Sequence, residues 1–338
     1  SIMAEFKELL KVLRREVPSR PVLFEFYMNE RLYRRACKGK YDVSTPYATM
    51  RTMVRSFEYY GYDYATVRGS ELWFPNGEEQ GNSRTVSLNA GHCIEDRESF
   101  DRYPWMDAAA CHYGDLDRIA GDLPRGMKVI VMGPGGVLEN CISLVGYDNL
   151  CMMLYDDREL AGDIFAKIGS SLVEYYRRCA AHDSVGALIS NDDWGFNSQT
   201  MLSPADLREF VFPWHKKIVE TIHAAGKPAI LHSCGNYTMI FDDLLALGYD
   251  ARHSYEDKII PVEEAYEQFV GKMAVLGGID MNYLICSPEE EITARCRRML
   301  ERTEERGGYA LGSGNSIPDY VPDEKYFAML RAVSEKEW

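Results

Sequence analysis

The chain has 338 residues, of which 46% are hydrophobic and 27% are charged, with no run of 18 apolar residues. These values exclude a disordered chain and predict no membrane span. Lysine and arginine number 38 against 52 aspartates and glutamates, a formal net charge of −14. Such a chain offers no broad basic surface, so we expect neither nucleic acid nor a membrane among its partners. Nine cysteines without a framework spacing are typical of reduced thiols, and we expect a soluble cytoplasmic protein.

Eight short apolar runs, rich in residues that favour strands, alternate with helical patterns along the chain. In chain order they are Pro21 to Tyr27, Tyr62 to Arg68, Lys128 to Gly133, Gly186 to Asp192, Pro228 to Ser233, Tyr249 to Ser254, Met273 to Asp280 and Gly308 to Ser313. This alternation predicts an α/β fold with a parallel sheet. Eight repeats predict a single (β/α)8 TIM barrel over residues 1–338, with an open doubly wound sheet as the alternative.

The stretch 71–123 interrupts the alternation after the second predicted strand. It is polar and rich in turn residues, and its helical and strand periodicity is weak. We expect it to be an insertion that covers the mouth of the barrel.

Active sites of TIM barrels lie at the C-terminal ends of the strands, so the residues predicted there are the candidates for function. In chain order these side chains are Glu25, Tyr27, Glu139, Asp192, Asp193, Trp194, His232, Cys234, His253, Glu256, Asp280 and Asn315. The set holds carboxyl groups, two imidazoles and one thiol. Such a set predicts acid–base or metal chemistry at the mouth.

His232 and Cys234 carry the strongest signal of that set. Residues i and i+2 of a strand project to the same face, so an imidazole and a thiolate could bind one metal ion. Zinc suits a nitrogen and sulfur ligand pair. The alternative is a buried thiol next to a histidine that is satisfied by other hydrogen bonds.

Asp192 and Asp193 are adjacent carboxylates at the end of the fourth predicted strand. Their side chains point in different directions, so one of them is expected to face the barrel axis and the other to bind backbone. Turn chemistry around Asp-Trp-Gly is the alternative. Trp194 and other aromatic residues of the loops would suit an aromatic substrate.

Several segments together resemble the uroporphyrinogen decarboxylase superfamily, and within it the branch of cobalamin-dependent methyltransferases. The segments are Met201 to Pro204 with the LREFVFPWHKKIV that follows, LHSCGN at Leu231 to Asn236, and GGID at Gly277 to Asp280. The resemblance covers roughly residues 120 to 335. It implies a TIM barrel, in agreement with the count of strands.

Two departures from the family patterns narrow the expected chemistry. The decarboxylase motif Arg-Gln-Ala-Gly-Arg and the aspartate after the second strand are replaced by Phe24 to Asn29 and Thr66 to Ser70. The methyltransferases that this chain resembles bind zinc through HxC and a second cysteine, whose expected place is held by Asn315. A third ligand would then come from Glu25, Glu139, Glu256 or His253, and the harder site would suit an oxygen-linked methyl group.

The resemblance therefore implies a zinc-dependent methyltransferase that moves a methyl group from a small methylated substrate, such as a methoxylated aromatic, to a corrinoid protein. Asp193, Glu139 or Tyr27 is expected to protonate the departing oxygen. Asp192, Trp194, Asn315 and Asp280 are expected to bind substrate, with Asn315 also a possible hydrogen-bond donor to a metal ligand. A carbon–carbon lyase of the decarboxylase type and a non-catalytic binder of corrinoid or aromatic ligands are the alternatives.

Overall fold

The computed structural model describes residues 3–77, 88 and 92–338, and its centre is one parallel sheet of seven strands. Each strand pairs with the next one along the chain, as successive βα units require. The strands are β1 (Tyr64–Arg68), β2 (Lys128–Met132), β3 (Val185–Asn191), β4 (Ala229–His232), β5 (Ala251–His253), β6 (Ala274–Leu276) and β7 (Tyr309–Ala310).

Helices precede, connect and follow these strands. The first group is α1 (Phe6–Leu13), α2 (Glu30–Cys37), α3 (Pro46–Tyr60), α4 (Arg97–Arg102), α5 (Asp115–Arg118), α6 (Val137–Val145), α7 (Tyr147–Asp156) and α8 (Arg158–Ala180). The second group is α9 (Pro204–Asp206), α10 (Phe212–Ala224), α11 (Phe241–Ala246), α12 (Val262–Phe269), α13 (Met281–Cys286), α14 (Glu289–Thr303) and α15 (Asp323–Leu330).

The sheet confirms the α/β class and seven of the predicted strands, although several are shorter than predicted. The run from Met273 to Asp280 forms a strand only over β6, because Gly277 and Gly278 have φ of 73° and 97° and turn the chain out of the extended conformation. The strands β4 to β7 are buried along their whole length, so the polar side chains that they carry, His232, Arg252 and His253, lie inside the protein.

The first predicted strand does not join the sheet as an eighth member. Leu23 forms one parallel bridge with Leu311, and the Leu311 N–H donates to the carbonyl of Val22 at 2.8 Å. On the other side, the Tyr64 hydroxyl accepts from the Glu25 N–H at 2.8 Å and donates to the Glu25 carbonyl at 2.6 Å. Because this side chain occupies backbone groups that a ladder with β1 would use, the described residues form a curled seven-stranded sheet instead of the complete barrel expected.

The predicted insertion at 71–123 is described only in part. Residues 78–87 and 89–91 lie outside the described residues, so the insertion over the mouth stays a prediction. The described part holds α4 and α5, and the N–H groups of Cys93 and Ile94 donate to the carbonyl of Leu144 in α6. Over the described ranges, no helix combines the length and the apolarity that crossing a membrane requires.

Candidate functional site

The ends of β3, β4 and β5 bring the strongest candidates together. His232 is paired in register with Asn191 of β3 and with His253 of β5, so the residues that follow these strands leave the sheet at the same edge. Parallel pairing thus brings together strand ends that are up to 62 residues apart in the sequence. We use the name thiol cluster for Cys234, Asp193, Glu139, Ser254 and Asn315.

Cys234 lies at the centre of the thiol cluster. Its Sγ is 3.0 Å from the Ser254 Oγ, and the amide of Asn315 donates to the sulfur at 3.5 Å. Its backbone N–H donates to Oδ1 of Asp193 at 2.8 Å. Asn315 therefore contacts a candidate metal ligand through a hydrogen bond.

The acidic groups of the thiol cluster have pKa values that are raised by their surroundings. Burial, together with the negative charges of Asp193 and Asp192, raises the pKa of Glu139 well above its ordinary value. Burial also raises the pKa of Asp193, although the hydrogen bond from Cys234 opposes this shift. Burial and the nearby Asp193 raise the pKa of the Cys234 thiol, which favours its neutral form.

Asp192 is a fully buried anchor below the thiol cluster. Its Oδ1 accepts from the Glu139 N–H at 2.9 Å, and its Oδ2 accepts from the Leu138 N–H and from the Trp194 indole at 3.0 and 2.9 Å. His215 Nε2 lies 2.7 Å from the same Oδ2. The carboxylate thus caps the first turn of α6 and fixes the position of Glu139.

These contacts correct the expectation that Asp192 and Trp194 bind substrate. Asp192 has no exposed surface, and only 2% of Trp194 is exposed. The Trp194 ring packs edge-on against His215 and Phe212. Both side chains are used inside the protein, so their part is to position neighbouring residues.

Arg252 and Ser254 hold the loops after β4 and β5 together. The Arg252 guanidinium donates to the carbonyls of Ser254 and Ser233 at 2.7 and 2.8 Å. It lies 4.6 Å from the ring centre of Tyr237 and 4.8 Å from that of Tyr255. Ser254 has φ of 99°, a conformation that non-glycine residues rarely adopt, and this conformation accompanies the contact of Ser254 with Cys234.

His232 and His253 form a buried pair at the ends of β4 and β5. Their Nδ1 atoms are 2.8 Å apart, so one ring donates and the other accepts. Burial and the neighbouring His232 lower the pKa of His253 well below its ordinary value. A neutral imidazole is the form that binds a metal ion.

The other predicted residues lie in different surroundings. Both oxygens of Glu25 accept hydrogen bonds from Ser313, from its N–H at 2.7 Å and its hydroxyl at 2.6 Å. Burial raises the pKa of Glu25 to about 8, although these hydrogen bonds oppose the shift. This carboxyl group is thus engaged by the last loop rather than placed in the thiol cluster.

Asp280, which was expected to bind substrate, is a helix cap. Its Oδ1 accepts from the Tyr283 N–H at 3.0 Å and its Oδ2 from the Asp257 N–H at 2.8 Å, which satisfies the first turn of α13. In the structure the Asp280 carboxylate therefore binds backbone N–H groups, where a contact with substrate was expected. Glu256 is half-buried beside Arg252 at a small cavity.

Tyr27 lies at the end of the first predicted strand. Its ring is 5.6 Å from that of Phe26, which in turn lies 4.5 Å from the His232 ring and 6.4 Å from the His253 ring. Tyr27 thus borders the histidine pair through Phe26.

The side chains around Cys234 include donor atoms of the types that zinc binds. Imidazole and thiolate are its usual ligands, and the Nε2 atom of His253 is buried with no hydrogen-bond partner in the described part of the chain. The types of donor atom therefore fit zinc. In the same described part, no group of three or more histidine, cysteine, aspartate or glutamate residues lies at metal-binding spacing.

Three of the residues that shape the site were missed from the sequence as site residues. Arg252 and Ser254 flank His253, and alternation along β5 could have drawn attention to them. His215 lies on α10, which precedes β4. Its partner Asp192 is 23 residues earlier, and no motif spacing connects the two.

Comparisons with known proteins agree with this architecture. The family model "Uroporphyrinogen decarboxylase (URO-D)" matches residues 97–336. The uroporphyrinogen decarboxylase of Anaeromyxobacter dehalogenans is 30% identical over 193 residues, which cover 57% of this chain and 53% of the relative. That of Myxococcus xanthus is 28% identical over 183 residues, covering 54% and 49%. The match thus spans about half the length of these curated relatives.

A solved structure is similar over almost the whole chain. It is a methyltransferase from Methanosarcina mazei, with a TM-score of 0.72 and 14% sequence identity, and the match covers 98% of both chains. At this identity the likeness shows the shared fold.

Proposed function

The chain belongs to the uroporphyrinogen decarboxylase family, and we propose that it is a methyltransferase within that family. Its donor would be a small compound with an oxygen-linked methyl group, such as a methoxylated aromatic, and its acceptor a reduced corrinoid carried by a partner protein. The observation that carries the proposal is the thiol cluster, in which hydrogen bonds fix the position of Cys234 and burial raises the pKa of the nearby Glu139. The similar fold of a known methyltransferase supports it.

The surroundings of the thiol cluster favour this reaction over the decarboxylation of an acidic porphyrinogen. A substrate with several carboxylates needs cations at the mouth. Arg252, the cation next to Cys234, is 2% exposed, and it donates to two backbone carbonyls.

Glu139 is proposed to be the proton source. When the bond between the methyl carbon and the ether oxygen breaks, the oxygen keeps the electron pair and takes the proton of Glu139. The methyl group passes to the corrinoid, which is oxidised by two electrons. The Asp192 carboxylate holds the backbone of Glu139, and Asp193 holds that of Cys234, so the loops keep their relative position during the reaction.

A zinc ion would be held by His232 and Cys234, the pair that the sequence predicts, because no group of three or more histidine, cysteine, aspartate or glutamate residues in the described part of the chain lies at metal-binding spacing. When bound, zinc would act as a Lewis acid that weakens the bond to the methyl group. Ser254 and Asn315 hydrogen-bond the sulfur and would orient it as a ligand.

The proposal is tested with the full chain supplied with zinc, reduced cob(I)alamin as the acceptor, and a panel of 2-methoxyphenol, methanol and methylamine. We expect the absorbance of methylcobalamin to appear with 2-methoxyphenol, and not without protein. Methylcobalamin from methylamine alone would overturn the choice of substrate. No methylcobalamin from any donor, together with release of carbon dioxide from uroporphyrinogen, would replace the methyltransferase by the lyase. Neither reaction, with tight binding of cobalamin, would favour the non-catalytic binder.

A further inference from the structure

A cavity of about 570 Å³ lies beside the end of β1, and none of the residues predicted to be functional lines it. It is bounded by the first half of α3, by the residues that follow β1 and by Met132 at the end of β2. Its volume is in the range of ligand sites for small molecules. By contrast, the two cavities that border Arg252 near Cys234 measure about 10 Å³ each, room for about one water molecule.

The walls of the cavity suit an aromatic ring. Met50 and Met53 line it together because residues three apart lie on the same side of α3, and Met132 adds a third thioether. Trp73, which is half-buried, contributes the face of an indole. Thioethers and indoles both make favourable contacts with aromatic rings.

Arg68 supplies a hydrogen-bond donor at the cavity. Its Nη2 donates to the carbonyl of Leu72 at 2.8 Å, and its guanidinium lies 5.4 Å from the centre of the Trp73 ring. Its Nε is buried and has no hydrogen-bond partner among the residues that the structure describes. A buried donor without a partner is costly, and an acceptor oxygen on a ligand would relieve that cost.

The remaining charges select a neutral ligand. Glu71 and Asp115 also line the cavity, opposite in charge to Arg68. Glu71 accepts from the His112 N–H at 2.7 Å, and Asp115 lies 3.8 Å from the His112 ring. Two carboxylates beside one guanidinium disfavour a carboxylate ligand, whereas a hydroxyl group can donate to them.

Other cavities of comparable size have a different lining. The one near α2, of about 540 Å³, is bordered by Tyr33, Tyr41 and Met53 and by four charged residues, Glu30, Arg31, Arg34 and Asp319. Four of its seven lining residues are charged, against three of fourteen in the cavity beside β1, so it is the less suited of the two to a neutral ring. The cavity beside β1 therefore combines volume, apolar walls and an unpaired donor.

We propose that the cavity beside β1 binds a neutral aromatic ring that carries ether or hydroxyl oxygens. The ring packs between the methionines and Trp73, and an oxygen of the ligand accepts from Arg68. That this ring belongs to the methyl donor rests on the proposed function. The binding itself does not rest on the proposed function. The cavity lies beside β1, whereas Cys234 follows β4, and two strands separate β1 from β4.

The test measures binding by titration calorimetry on the full chain without added zinc or corrinoid. The probe is 2-methoxyphenol, with benzoate and methylamine as charged competitors. We expect 2-methoxyphenol to bind with a Kd at or below about 1 mM, a usual strength for a ligand of this size. We expect benzoate and methylamine to bind at least tenfold more weakly.

Two variants locate the site. Trp73→Leu keeps an apolar side chain but removes the indole face, and Arg68→Lys keeps the charge but removes the Nε donor. Each is expected to weaken the binding of 2-methoxyphenol at least tenfold, whereas Tyr155→Leu, at a residue that is 91% exposed, should leave it unchanged. Circular dichroism confirms that each variant is folded.

The inference is overturned if 2-methoxyphenol does not bind, if both variants bind it as tightly as the unaltered chain, or if benzoate binds more tightly. Binding without methyl transfer would leave the cavity inference standing and overturn the proposed function. Methyl transfer that is unaffected by both variants would overturn the cavity inference and leave the proposed function standing.

Discussion

Two regions along the C-terminal edge of the sheet, one after β3 to β5 and one beside β1, differ in the space and the side chains that they offer a ligand. At β3 to β5, the thiol cluster is filled by its own hydrogen bonds and leaves cavities of about 10 Å³. Beside β1, a cavity of about 570 Å³ is lined by methionines and Trp73, and it contains no cysteine. Reactive groups and room for a ligand are therefore found at different places, which suggests that recognition and chemistry are divided between two regions.

The packing of the thiol cluster has a physical reason. Buried carboxyl and thiol groups are stable only when their partners are supplied by the protein, and here Asp192, Arg252 and Ser254 supply or fix those partners. A rigid arrangement of this kind favours the protonated form of Glu139 and fixes the position of Cys234. A ligand cavity needs the opposite, namely polar groups whose hydrogen bonds are still to be made.

The largest effect is expected from Glu139→Gln. Gln has nearly the same shape but cannot donate a proton as an acid, so methyl transfer should fall about 10² to 10⁴-fold. Because burial raises the pKa of Glu139, the unaltered chain should keep its activity through neutral pH and lose it as rising pH removes the proton. The variant should lack this alkaline decline in kcat. Glu304→Gln, at an exposed residue, serves as the control, and equal rates in both variants would remove Glu139 from the reaction.

The second effect is a change in the pH dependence of the free energy of unfolding when Glu25 is replaced. Glu25 ionises near its ordinary 4.5 when unfolded and near 8 when folded. The stabilisation that protonated Glu25 gives to the folded state is thus complete below pH 4.5 and is lost as pH rises towards 8. Over this range the free energy of unfolding should fall by about 1.4 kcal/mol per pH unit. Urea unfolding between pH 5 and 8 should show this slope reduced in Glu25→Gln. The exposed Glu335→Gln should keep it, and an unchanged slope in Glu25→Gln would contradict the assignment.

A smaller effect is expected from Arg252→Lys. Lysine keeps the charge but cannot bind the carbonyls of Ser233 and Ser254 at once in the same geometry. Loosening these loops should raise the rate at which iodoacetamide alkylates Cys234 and lower methyl transfer about tenfold. Mass spectrometry of the Cys234 peptide measures the first effect. Arg306→Lys, on the exposed surface, should change neither rate.

The smallest effect is expected from Asn315→Ala. The hydrogen bond from Asn315 to the sulfur is long, at 3.5 Å, so its loss should lower methyl transfer less than about tenfold. Asn282→Ala, at an exposed residue, is the matched control. A loss of more than about a hundredfold would mean that Asn315 contacts the reacting atoms.

The sequence predicted the regular part of the fold better than its closure. The alternation of apolar runs identified seven strands, and the C-terminal ends of those strands held Cys234, Asp193 and His253. The sequence did not predict that the first apolar run fails to pair with β1. This failure depends on the Tyr64 hydroxyl, which binds the backbone of Glu25, 39 residues away.

Roles within the site depended on side-chain direction, which the sequence does not give. Asp192 and Asp193 are adjacent and identical in type, yet one caps α6 and the other holds Cys234. The cavity beside β1 was not predicted either. Its walls come from α3, from the residues after β1 and from β2, and no motif joins them.

The division into two regions is tested most directly by single-turnover methyl transfer from 2-methoxyphenol to cob(I)alamin over a range of donor concentrations. Cys234→Ala should lower the rate constant at saturating donor while the donor concentration for half-saturation stays unchanged. Trp73→Leu should raise that concentration at least tenfold while the rate at saturation stays unchanged. The exposed Cys286→Ala should alter neither. If Cys234→Ala and Trp73→Leu change the same parameter to the same extent, recognition and chemistry occupy one site and the division is wrong.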